Sequence, residues 1–137
     1  MPWPAVHAWK RPLLEVAGRA VARSDVDAYL EAERGWLPDW ALWWALARSG
    51  RGTWQAWPGG LRDRDPSALA AFLDADPADV RIAAALQLLV QRQWDRMRER
   101  MRVRGLSLMG DMPIYVNGDG ADVCTRRRLF LVERPGE

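Results

Sequence analysis

Apolar residues recur at steps of three and four through most of the first hundred positions, which is the period of a helix. Leu13, Leu14, Val16, Ala17, Ala20 and Val21 form one such stripe and predict a helix over 12–23, with Pro12 admissible in its first turn. The Pro- and Trp-rich stretch before it, through Arg11, reads as a loop. Ser24–Asp25 offers a cap for a second helix reaching Arg34, which Gly35 stops. A third helix starts at Leu37–Pro38–Asp39 and runs to Ser49, ahead of Gly50 and Gly52. Residues 51–65 read as loop, and Pro66 begins a short helix to Leu73, closed by Asp74 and Asp76. Pro77 opens the longest helix, to Val103, with Ile82, Leu86, Leu89, Val90, Trp94, Met97 and Met101 on one side.

The pattern changes at Gly105. Leu106–Ser107–Leu108–Met109 is the one convincing strand, a short apolar run that suits a buried parallel strand and ends at Gly110–Asp111. Residues 112–120 read as a functional loop after it, with an extension of the strand through Ile114–Val116, and a brief helix is expected over Ala121–Arg127. One strand makes no sheet, because a strand buried on both faces needs neighbours. The expectation is therefore a cut piece of an α/β fold, mostly helical. No internal repeat or low-complexity segment is present.

Composition narrows the chemistry. With 49% hydrophobic residues the chain is globular, and no apolar run reaches the roughly 18 residues of a membrane span. The opening lacks a charged start followed by an apolar core, so no secretory signal is read and a cytoplasmic location is expected. Cys124 is the sole cysteine and His7 the sole histidine, which excludes an internal disulfide, a cysteine-based zinc site and a His-dependent triad. No metal or other cofactor is expected. Arginines 92, 96, 98, 100, 102 and 104 alternate along the long helix, and a two-residue step turns a helix by about 200°. They form no single basic face, Asp95 and Glu99 interrupt them, and a nucleic-acid partner is not expected.

Nine tryptophans stand out, six of them between Trp36 and Trp57. Trp36, Trp40, Trp43 and Trp44 have helical spacing and read as core. Trp54 and Trp57, in a loop among glycines and prolines, are candidates for stacking on a sugar, since indoles offer broad apolar faces with a polar edge. Asp111, Asp119 and Asp122 are acidic loop positions without the spacing of an EF-hand. Asp122 also suits a helix cap, and Tyr115 fits either a ligand path or a buried strand end.

Two stretches resemble the 4-α-glucanotransferase (amylomaltase) family. The first is WLPDWALWWALARSGRGTWQAWPGGLRDRDP, Trp36 to Pro66, which is similar to the family's helical insertion and its Trp-x-x-Trp-Pro turn. The second is GDMPIYVNGDGADV, Gly110 to Val123, which resembles the family's strand-and-loop signature. Between them, Gln87 and Gln91–Trp94 match a glutamine-rich helix that enters that strand. Gly120 stands where the family usually has Ser, and Cys124 where it usually has Trp.

The resemblance implies a partial (β/α)8 TIM barrel. Residues 11–104 would form the helical insertion and the helix leading to the third barrel strand, and 105–137 the strand and the active-site loop after it. Active sites of this fold gather at the C-terminal ends of strands, where Asp111 would sit. The implied partner is an α-1,4-glucan or maltooligosaccharide, held by Asp111, Tyr115, Asp119, Trp54 and Trp57. The implied reaction is retaining transfer of a glucan segment to a sugar hydroxyl, which needs two carboxyl groups about 5 Å apart. No stretch resembles the family's Arg-Ile-Asp-His nucleophile motif, so no catalytic residue is assigned here and the isolated chain is expected to be inactive. It is also expected to self-associate through uncovered barrel edges. The rival reading is a small helical interaction module that binds a protein partner through its Trp-rich surface.

Overall fold

The computed structural model describes residues 3–75 and 77–131. Helix α1 (Trp3–Arg19) is followed by α2 (Arg23–Ala32), α3 (Leu37–Arg48), a 3₁₀ turn (Trp54–Ala56), α4 (Gly59–Arg62) and α5 (Pro66–Ala75). Then come the 27-residue α6 (Pro77–Val103), α7 (Ala121–Thr125) and a closing 3₁₀ turn (Arg127–Leu129). At 1.5 Å per residue α6 is about 40 Å long. Helices α1, α2, α3 and α5 all pack against it.

Small residues set how close they come. Ala83, Ala84 and Ala85 are fully buried on α6, in one cluster with Val26 of α2 and Leu37 and Ala41 of α3. Where α1 crosses α6, a Cβ added at Gly18 would lie 3.0 Å from the Ile82 Cγ2 atom, so glycine lets the two backbones approach. A second cluster holds Leu42 and Leu46 of α3 with Trp54, Trp57, Val123 and Cys124. Helix α3 is thus covered on two sides. Ion pairs frame the bundle: Arg92 to Asp25 at 2.6 Å and Arg81 to Asp27 at 2.8 Å tie α6 to α2, and Arg48 to Glu15 at 2.6 Å ties α3 to α1. All are partly exposed, so each contributes at most about 1 kcal/mol.

Several expectations need correction. The opening stretch is helix, and α1 runs through Pro12. Pro12 and Ala8, whose carbonyl Pro12 deprives of a donor, are both exposed. Helix α2 starts at Arg23 with Ala22 at its N-cap and no capping side chain; Asp25 pairs with Arg92 instead. The 51–65 stretch contains the first 3₁₀ turn and α4. Helix α5 does begin at Pro66. Asp65 caps it by accepting from the Ser67 and Ala68 amides, each at 3.0 Å. It runs on to Ala75, and Asp76, expected to help close it, lies outside the described residues. Asp122 sits in the first turn of α7, with Gly120 at the N-cap.

The largest correction concerns Leu106–Met109. These residues form no strand, and no strand occurs among the described residues. Strand pairing is a contact between distant segments, and among the described residues the neighbour that lines a groove with this stretch is helix α6, which offers no strand edge. The long helix also departs from its expected stripe. Its burial is confined to the first half, at Ile82–Ala85 and Leu88, whereas residues 91–100 are all exposed.

Replacing Leu46, 1% exposed, by Ala should cost about 2–5 kcal/mol in urea denaturation, because it removes atoms from the second cluster and leaves a cavity. Val90→Ala, at an exposed position of the α6 stripe, should stay within about 0.5 kcal/mol. Equal losses at both positions would contradict this placement of the core.

Acid should act through a defined group. The Arg62 guanidinium beside Asp63, with Arg127 also donating to its Oδ1, holds the Asp63 carboxyl down at about 2. The folded value lies below the ordinary 3.8, so the contribution is in place above about pH 4 and is lost as pH falls toward 2. Hydrogen bonds from Ser67 and Ala68 lower Asp65, and Arg102 lowers Glu99, in the same direction. Stability measured from pH 5 to 2 should therefore fall, and Asp63→Asn should flatten that slope without abolishing it.

Candidate functional site

The two blocks that carry the resemblance meet in space through hydrogen bonds from tryptophan. Trp54 in the first 3₁₀ turn donates its indole N–H to the Gly118 carbonyl at 2.7 Å. Trp43, on α3, donates to the next carbonyl, that of Asp119, at 3.1 Å. The receiving segment is a tight turn in which the Gly120 amide donates to the Asn117 carbonyl at 2.8 Å and the Asp119 amide to Asn117 Oδ1 at 3.0 Å. A Cβ at Gly120 would lie 2.9 Å from the Asn117 carbonyl oxygen, closer than side chains come, so a side chain here would force the turn to shift. The Cys124 amide then donates to the Gly120 carbonyl, launching α7.

Arginine completes the support. The Arg127 guanidinium lies over the Trp54 ring at 4.4 Å and donates to Asp63 at 3.1 Å and to the Cys124 carbonyl at 3.3 Å. Stacking on an aromatic face suits a planar cation. Cys124 is buried beside these groups, and burial pushes its thiol up from the ordinary value.

The expected site residues fall into two groups. Trp54 and Trp57 are 5% and 3% exposed, and Trp57 donates to the Gly52 carbonyl at 3.2 Å. Both are core residues here, with little ring face left for a sugar. Asp119 is exposed at the crest of the turn that Trp43 and Trp54 support. Asp111 and Tyr115 belong to the exposed 106–116 stretch, Tyr115 at 86% exposure, and no contact joins them to the Trp54 turn. That stretch begins along an open groove of about 670 Å³, lined by Trp94, Met101 and neighbouring charged residues of α6 together with Leu106–Gly110. The groove stops one residue short of Asp111.

Sequence reasoning missed Trp43 and Arg127 as parts of this arrangement. Helical spacing placed Trp36, Trp40, Trp43 and Trp44 in the core, whereas Trp36 is exposed and the other three are half-buried, and spacing carries no information on where an indole N–H points. Arg127 sits in a run of three arginines that reads as solvated surface. Among the described residues no cluster of three His, Cys, Asp or Glu side chains could hold a metal ion, and no helix is long and apolar enough to cross a membrane.

The chain has clear relatives. It is 37% identical over 136 residues to a chloroplastic/amyloplastic 4-alpha-glucanotransferase of Oryza sativa subsp. japonica, covering 93% of this chain and 23% of that protein. It is 34% identical to a 4-alpha-glucanotransferase of Thermus thermophilus, over 96% of this chain and 28% of that one. For the Aquifex aeolicus 4-alpha-glucanotransferase the figures are 30% identity, 96% and 27%. The chain thus spans about a quarter of the length of these relatives. Residues 1–136 match the model of glycoside hydrolase family 77, described as 4-alpha-glucanotransferase, and the chain belongs to that family.

Proposed function

We propose that these residues form one wall of the glucan-binding site of a 4-α-glucanotransferase, which transfers α-1,4-glucan segments to a sugar acceptor with retention. Support comes above all from the contact between the two family-like blocks, in which Trp43 and Trp54 seat the Gly118–Asp119 turn. In this reading Leu106–Met109 is the third strand of a (β/α)8 barrel, completed by strands these residues do not supply, and Asp111 stands at its C-terminal rim. Asp111, Tyr115 and Asp119 contact the glucan, the carboxylates by accepting from sugar hydroxyls and the tyrosine ring by packing on a sugar face. Trp54 acts from beneath, through the turn it holds with Trp43, and Trp57 packs in the same buried cluster as Trp54. A cytoplasmic location belongs to the same proposal, although the rice relative's name places that protein in plastids.

The chemistry asks for a nucleophilic carboxylate and an acid carboxyl about 5 Å apart across the scissile bond. Nothing in these 137 residues resembles the segment that carries the nucleophile, so these residues bind and orient while other strands react.

The purified chain should leave maltotriose unchanged over a day, while maltoheptaose at millimolar concentration shifts the amide resonances of Asp111, Tyr115 and Asp119. Longer oligosaccharides appearing from maltotriose would overturn the assignment of chemistry to other strands, and unmoved resonances would overturn the binding role.

Uncovered apolar side chains give a second expectation. Met109, Ile114 and Tyr115 are 98%, 88% and 86% exposed within one short stretch, a concentration that marks an interaction surface. The isolated chain should self-associate in sedimentation at tens of micromolar, and Met109→Lys with Ile114→Lys should shift it toward monomer. A monomeric parent chain would count against the uncovered strand.

A further inference from the structure

We propose that Trp43 and Trp54 are positioning residues that act through their indole N–H groups, clamping the Gly118–Asp119 backbone so that the Asp119 side chain is presented outward. The proposal rests on the reading that Asp119 contacts glucan.

Among Trp36, Trp43, Trp54 and Trp57, two satisfy their N–H groups locally. Trp36 donates to Glu33 at 2.7 Å and Trp57 to the Gly52 carbonyl five residues away. The other two reach across 76 and 64 residues, from separate elements, to consecutive carbonyls of one turn. Indole N–H is a donor only, and Trp54 is 5% exposed, so losing its acceptor would leave a buried donor unsatisfied. That penalty resists any movement of the turn away from Trp54.

The Trp54 ring is itself held. Arg127 covers it at 4.4 Å and is anchored in turn by Asp63 at 3.1 Å. The turn is held from within as well, because the Gly120 amide closes it onto Asn117 at 2.8 Å and a Cβ at 120 would force that closure to shift. With both carbonyls drawn inward, the exposed Asp119 side chain is the polar group left facing solvent at the crest.

Tryptophan-to-phenylalanine exchange keeps an aromatic ring and removes the donor. Amide hydrogen exchange of Asp119, Gly120 and Cys124 should be measured in the parent chain and in Trp43→Phe, Trp54→Phe and Asp119→Asn, alongside NMR titration with maltoheptaose. Each tryptophan variant should speed exchange of these amides roughly fivefold to tenfold and weaken maltoheptaose binding by a similar factor. Asp119→Asn should weaken binding with exchange unchanged. Unchanged exchange in the tryptophan variants overturns the clamp. Faster exchange with undiminished affinity overturns its role in presenting Asp119. Absence of maltoheptaose binding by the parent chain sinks the glucan reading instead, and exchange then decides the clamp alone. If Trp54→Phe fails to fold, the half-buried Trp43→Phe decides by the same measurements.

Discussion

Everything in this molecule is referred to α3, because that helix is buried on two faces at once. Leu37 and Ala41 join the alanine-rich face of α6, and Leu42 and Leu46 join the tryptophans and α7. One step along a helix turns it by about 100°, so Ala41 and Leu42 face different clusters although they are neighbours in sequence. A helix covered this way cannot rotate or slide without uncovering one cluster or the other. Its position therefore fixes where Trp43 stands, and Trp43 helps to fix the Asp119 turn. The turn is thereby coupled to the bundle core through α3, and through Trp54 of the first 3₁₀ turn.

Periodicity made the bundle legible. Helices α3, α5 and α6 begin where Leu37, Pro66 and Pro77 say they should, since a proline in a first turn loses no hydrogen bond, and at α5 Asp65 supplies a cap as well. Composition misled at the N-terminus, where prolines and tryptophans read as loop although the helix tolerates Pro12 on an exposed turn. At Leu106–Met109 the composition of a strand is present, but a strand is completed by pairing, and pairing depends on residues elsewhere in a chain. Acidic and aromatic candidates were readable as types. Which of them share a site was not, because Trp54 and Gly118 are brought together only by tertiary packing.

Gly120 and Cys124 are physically linked. Gly120 lets the turn close onto Asn117 with no side chain in the way. Cys124, small and buried, lies in the cluster with Trp54 and Trp57. An indole at 124 would add a large ring to a cluster already holding two, and interiors packed at crystal-like density absorb such volume only by displacing neighbours. The neighbour displaced would include Trp54, whose N–H holds the turn. A tight turn at 120 and a small residue at 124 are thus mutually consistent, each preserving the seat of the same ring.

This consistency separates the candidate sugar contacts into two kinds. Asp119 rides on a turn fixed by two indoles, an internal amide bond and a glycine, so little conformational freedom is left to lose there when a ligand binds. Asp111 and Tyr115 lie in a stretch without regular structure, and ordering a residue's backbone costs about 1–2 kcal/mol. A ligand that recruits them in these residues alone must supply that cost from the contacts it makes, whereas a neighbouring strand paired along Leu106–Met109 would remove it in advance. In the proposed reading, affinity at Asp119 would be a property of the local fold, and affinity at Asp111 and Tyr115 would depend on a strand paired along Leu106–Met109.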